Sequence, residues 1–73
     1  MTHKEATTIW EEALEEYKKL FDDCGNLGAM LGMSRLLNTC EKLSHSVGYG
    51  VWNDEYYEIR HGETGRLKRW NTV

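Results

Sequence analysis

The sequence predicts a single α+β domain in which two or three N-terminal helices pack on a C-terminal antiparallel β-hairpin or small sheet. Three observations predict it. Apolar residues recur at helical spacing over roughly the first two-thirds of the chain, the pattern changes to alternation after Gly50, and the 73 residues contain no proline, so that glycine must punctuate the elements. A chain of this length holds one core, which makes residues 1–73 one small domain.

The first helix is expected over residues 8–24. Ala6, Trp10, Ala13, Tyr17, Leu20 and Cys24 follow one another at alternating spacings of four and three, with Ile9, Leu14 and Phe21 widening the stripe. Thr8 and Glu11 form a T-x-x-E capping box, Thr2 and Glu5 offer an earlier one, and Gly25 is the stop. Trp10 belongs to the core.

A second helical stretch runs from Asn26 to Val47 and ends at Gly48 and Gly50. The series Ala29, Met33, Leu36, Cys40, Leu43, Val47 keeps one phase throughout, as an unbroken helix would, whereas Gly32-Met33-Ser34 reads as a break with Ser34 as a cap. Both readings stand at this point.

After Gly50, Tyr57, Ile59 and His61 alternate with Glu58 and Arg60, and Glu63-Thr64-Gly65 forms a tight loop before residues 66–70 return. A three-residue loop closing on a left-handed glycine makes a hairpin. Tyr57, Ile59, His61, Leu67 and Arg69 then share the inward face. Arg60, Lys68 and Trp70 turn outward with Glu58, Arg66 lies near the tip, and residues 51–52 with 56–57 add a third strand.

Composition narrows the function. Two cysteines, Cys24 and Cys40, are too few for a secreted disulfide framework and suit a reducing cytoplasm. No apolar run approaches a membrane span. Cys24, Cys40, His45 and His61 match a zinc set by number, but no close pair seeds a site, and no cofactor is expected. Neighbouring acids such as Glu11-Glu12 and Glu15-Glu16 diverge around a helix rather than forming a dyad, and no phosphate-binding loop is present, so neither an enzyme nor a small-molecule substrate is expected.

Charge is unevenly distributed. Residues 1–24 hold seven acids against three lysines, and residues 59–73 hold Arg60, Arg66, Lys68 and Arg69 against Glu63 alone. An acidic whole with a basic end suits a protein partner at least as well as DNA. Trp, Tyr and Arg dominate interface energies. The expected partner-binding residues are accordingly Val51, Trp52, Tyr56, Arg60, Arg66, Lys68, Arg69 and Trp70.

Two resemblances follow. The stretch Leu27-Gly28-Ala29-Met30-Leu31-Gly32-Met33-Ser34-Arg35 resembles the core of a helix-turn-helix, with a small residue four before the turn glycine, and the hairpin resembles the wing of a winged helix domain. That resemblance implies a DNA-binding repressor in which Ser34, Arg35, Asn38, Thr39 and Lys42 face DNA, although Asn38 and Glu41 stand where that family places apolar residues. Two helices packed closely through their glycines is the plainer reading of the same residues. In size and charge polarity the chain also looks like small phage-encoded proteins that bind host RNA polymerase and inhibit or redirect it. That likeness implies a non-enzymatic transcription regulator in the bacterial cytoplasm, with inhibition of another host protein as the alternative.

Overall fold

The computed structural model describes residues 1–71, which form helices and, among the described residues, no strand. The expected α+β architecture is therefore corrected to a small all-helical fold. Helix α1 spans His3–Val47 with a break at Gly25, α2 spans Val51–His61, and a 3-10 turn spans Lys68–Asn71.

The earlier of the two N-terminal boxes is the one used. Thr2 Oγ1 accepts from the Glu5 amide at 3.1 Å, and Glu5 Oε1 accepts from the Thr2 amide at 3.1 Å. That backbone donor, joined by the Thr2 side chain, holds the Glu5 carboxyl below its ordinary value. The helix runs on until Gly25, whose φ of 58° and ψ of −132° lie where a side chain is poorly tolerated.

Residues 3–24 and 26–47 then form two antiparallel limbs. His3 Nε2 donates to the Val47 carbonyl at 2.9 Å at the open end, and Arg35 pairs with Glu16 across the middle. Nearer the bend, a Cβ on Gly28 would lie 1.8 Å from the Leu20 carbonyl oxygen, and one on Gly32 2.6 Å from Tyr17 Cδ2. These glycines let the limbs touch. The second limb passes through Gly32 unbroken, which settles the choice left by the sequence in favour of close helix packing and against a turn at that glycine.

Between the limbs lie Ala6, Trp10, Leu14 and Tyr17 from one side and Leu36, Cys40 and Leu43 from the other, all buried. Each large aliphatic or aromatic side chain removed from water here contributes about 1.5–3 kcal/mol before the entropy of ordering is set against it. Burial pushes the Cys40 thiol up, keeping it protonated.

Helix α2 stands where the first strand was expected. Trp52, Tyr56 and Ile59 are spaced by four and three and face the core, which offsets the alternation of Tyr57, Ile59 and His61. Asn53 reaches back to accept from the Gly50 amide at 2.9 Å and donates to Ser44 Oγ at 3.0 Å, tying the start of α2 to the second limb. Asp54 near its start and Arg60 and His61 near its end suit the helix dipole.

Residues 62–71 form a strap over the first limb. Gly65 takes the left-handed conformation expected of it, with φ 68°, but the turn leads into the strap and joins no strands. Leu67 is buried, Tyr17 donates its hydroxyl to the Gly65 carbonyl at 2.5 Å, and the Trp70 ring stacks on Tyr17 with centroids 6.2 Å apart. Arg66 bonds Asp22 at 2.6 Å and lies over the Phe21 ring. Arg69 reaches Glu55 at 2.7 Å and Glu11 at 2.9 Å. Two bases of the basic end are thus set against the acids of the first limb and of α2.

Candidate functional site

Length decides where the surface opens. The 11 residues of α2 cover the C-terminal half of the second limb, where Cys40 Sγ lies 3.7 Å from the Trp52 carbonyl, and the chain then leaves for the first limb. The N-terminal half of the second limb keeps an open side. A groove of about 570 Å³ results.

Tyr17 and Phe21 of the first limb, Met30, Met33 and Leu37 of the second, and Tyr56 and Ile59 of α2 give the groove an apolar lining, which residues 62–65 close at one end. Ser34, Asn26 and Thr64 add neutral polar groups. Arg60 and Glu63 are its charged residues. The Arg60 guanidinium donates to the Tyr56 hydroxyl at 3.0 Å, which holds it toward the groove that both residues line.

The apolar surface continues past the lip. Leu27, Met30 and Leu31 are 64%, 72% and 56% exposed and lie within a little more than one turn of one another. Three large apolar side chains that exposed extend the apolar surface of the groove beyond its lip. Two of the groove's side chains are methionines, whose flexible thioethers adapt to different partners.

The structure distributes the residues expected to bind a partner. Tyr56 and Arg60 are brought together in the groove. Trp52 is fully buried, with its indole N–H donating to the Gly48 carbonyl at 3.2 Å, because the helical phase turns it inward. Val51 is exposed at the start of α2. Lys68 is exposed on the strap, Trp70 is half-buried against Tyr17, and Arg66 and Arg69 are engaged by carboxylates. The outward ribbon of Arg60, Lys68 and Trp70 does not exist, since these residues occupy a helix end and a 3-10 turn.

Of the residues expected to face DNA, Ser34, Arg35, Asn38 and Lys42 are exposed on the second limb and Thr39 is half-buried. They lie on one continuous limb, with no β-hairpin wing among the described residues, and Arg35 is paired with Glu16. Cys24 is exposed and Cys40 buried, and among the described residues no three His, Cys, Asp or Glu side chains converge as metal ligands would. No helix there is long and apolar enough to cross a membrane.

Leu27, Met30 and Leu31 are the surface residues that the expected site omitted. Their signal is present in the sequence, because Leu27, Met30 or Leu31, Ser34 and Leu37 form a second stripe out of phase with Ala29, Met33 and Leu36. Compared with known families, curated proteins and solved structures, the chain matches none.

Proposed function

We propose that this chain is a non-enzymatic regulator that binds a protein partner through the groove between the second limb and α2, and that bacterial RNA polymerase is the partner it inhibits or redirects. The observation carrying the protein-binding part is the exposure of Met30 and Leu31 at the lip of an apolar groove already formed in the free chain. The choice of polymerase comes from the likeness in size and charge polarity to phage-encoded polymerase-binding proteins. Glu63 is the one carboxylate lining the groove and the rest of the lining is mostly apolar, which supports a binding surface.

Contact with DNA through Ser34, Arg35, Asn38, Thr39 and Lys42 is the weaker proposal. Glu16 already neutralises Arg35, Glu41 stands beside Lys42, and the chain carries a net charge of −3.

Titrating the chain onto immobilised bacterial RNA polymerase tests the proposal. Saturable binding is expected, weakened about tenfold or more by Met30→Glu, which buries a charge if the lip is covered. Met30 is mostly exposed, so circular dichroism should be unchanged. No binding to core enzyme or holoenzyme would remove polymerase as the partner, and salt-sensitive retention on non-specific DNA would favour the second reading.

A further inference from the structure

We infer that the groove accepts an amphipathic helix of the partner, which lays an apolar stripe on Met30, Met33, Leu37 and Tyr56 and presents a carboxylate to Arg60 and a basic side chain to Glu63. This rests on the protein-binding reading of the groove and not on polymerase being the partner.

The shape supports a helix. All three helical segments, the two limbs and α2, line the groove, so that a further helix laid along it would extend a helix bundle. An extended peptide that binds by adding to a sheet edge needs a free strand, and the described residues contain none. A helix brings its own backbone hydrogen bonds and needs only apolar contact along one stripe. Methionines at positions 30 and 33 supply that contact without demanding one shape of side chain.

Charge supplies the second constraint. The chain has four arginines. Arg35, Arg66 and Arg69 each bond a carboxylate, whereas Arg60 bonds the neutral Tyr56 hydroxyl, and no carboxylate among the described residues lies within ion-pair distance of it. A guanidinium held by one hydrogen bond at the side of an apolar groove is set up to receive a carboxylate in two-point fashion. Glu63 follows at the loop that closes the same groove, likewise without an ion-pair partner among the described residues, and favours a base on the incoming helix.

Selection from a displayed library of random peptides on the immobilised full chain tests the inference. Enriched peptides should carry apolar residues at i, i+3 or i+4 and i+7 with an acid on the flank of that stripe, and should gain helicity on binding. They should bind the Arg60→Glu variant about tenfold or more weakly. Selection on that variant should enrich bases at the same place. Arg60 is exposed, and Arg60→Gln, which removes the charge and the guanidinium without reversing the sign, provides a milder second variant whose circular dichroism can be matched to the parent.

Extended or proline-rich winners, winners indifferent to Arg60, or no enrichment above background would overturn the inference. A dimer in solution that Met30→Glu dissociates would overturn it too, by making a second copy of the chain the occupant. The outcomes separate the two proposals. Helical peptide binding without polymerase binding removes only polymerase, while polymerase binding unaffected by Arg60→Glu or by the best peptide removes only the acidic-helix occupant.

Discussion

Gly32 lies so close to Tyr17 that a Cβ on the glycine would stand 2.6 Å from Cδ2 of the ring. Alanine would raise helix propensity by about 1 kcal/mol at such a site. The ring, however, has little freedom to move, because its hydroxyl bonds the Gly65 carbonyl and its face stacks on Trp70. Overpacking of this kind costs about 1–3 kcal/mol. Gly32→Ala is therefore expected to lower stability by about 1 kcal/mol net, with a correspondingly lower urea midpoint. Gly28→Ala should cost more, since its Cβ would meet the Leu20 backbone at 1.8 Å and only separation of the limbs relieves that contact. Equal or higher midpoints for these variants would mean that the limbs are not packed through their glycines.

Arg69 joins three parts of the molecule by bonding Glu11 on the first limb and Glu55 on α2 from its place in the 3-10 turn. Glu55, with its side chain 14% exposed, also accepts from the Trp10 indole N–H at 3.0 Å. The Glu55 hydrogen bond pushes the Arg69 guanidinium further toward its charged form, and Glu11 adds to it against the effect of partial burial. Arg69→Met keeps much of the stem and removes the charge. It should cost about 1 kcal/mol at low salt, with the difference from the parent narrowing near 1 M salt as the exposed Glu11 pair is screened, while the more buried Glu55 pair is screened less. Urea unfolding at two salt concentrations measures both terms.

The two thiols should react at very different rates. Cys24 is exposed beside the bend, while Cys40 is buried and its thiol is kept protonated mainly by that burial. One thiol per chain should alkylate promptly in the native protein and a second only in denaturant. The slow phase then reports opening of the core. Prompt modification of both would place Cys40 outside the core.

Acidification should loosen the first turn before the rest of the molecule. The Glu5 carboxyl sits below its ordinary value of 4.5, so its contribution is complete above that value and disappears as pH falls through the lower, folded-state one. Amide exchange at Thr2 and Glu5, the two backbone donors of the cap, should accelerate across that range relative to the second limb. Glu5→Gln should show no such pH dependence at Thr2. An identical profile in the variant would assign the effect to another group.

Local chemistry was readable along the chain, and pairing at its C-terminal end was not. Gly25 as the stop, Trp10 in the core and a left-handed Gly65 all follow from residue type and spacing. The stretch from Val51 to His61 misleads because it is rich in aromatic residues and Tyr57, Ile59 and His61 alternate. Trp52, Tyr56 and Ile59 hold the competing helical phase, and packing against Cys40 and Leu43 decides between them. Of the residues lining the groove, Tyr56 and Arg60 are singled out by residue type. Met30 and Leu31 were missed because a helix in a hairpin has one inward stripe, and a second stripe means something only once the fold shows that nothing covers it. Arg66 and Arg69 look like free charges in the sequence and are partnered by carboxylates in space.

The strap has a further consequence, for the order of events when the chain folds. Contacts within each limb and beside the bend join residues near in sequence, such as Arg35–Glu16 at 19 positions, and close quickly, whereas Arg66–Asp22 and Arg69–Glu11 join residues 44 and 58 positions apart, as His3–Val47 does at 44. The bend end of the hairpin is therefore expected to form ahead of residues 62–71. Because Gly62–Gly65 line the groove, the groove is expected to reach its full form only when residues 62–65 settle against the two limbs.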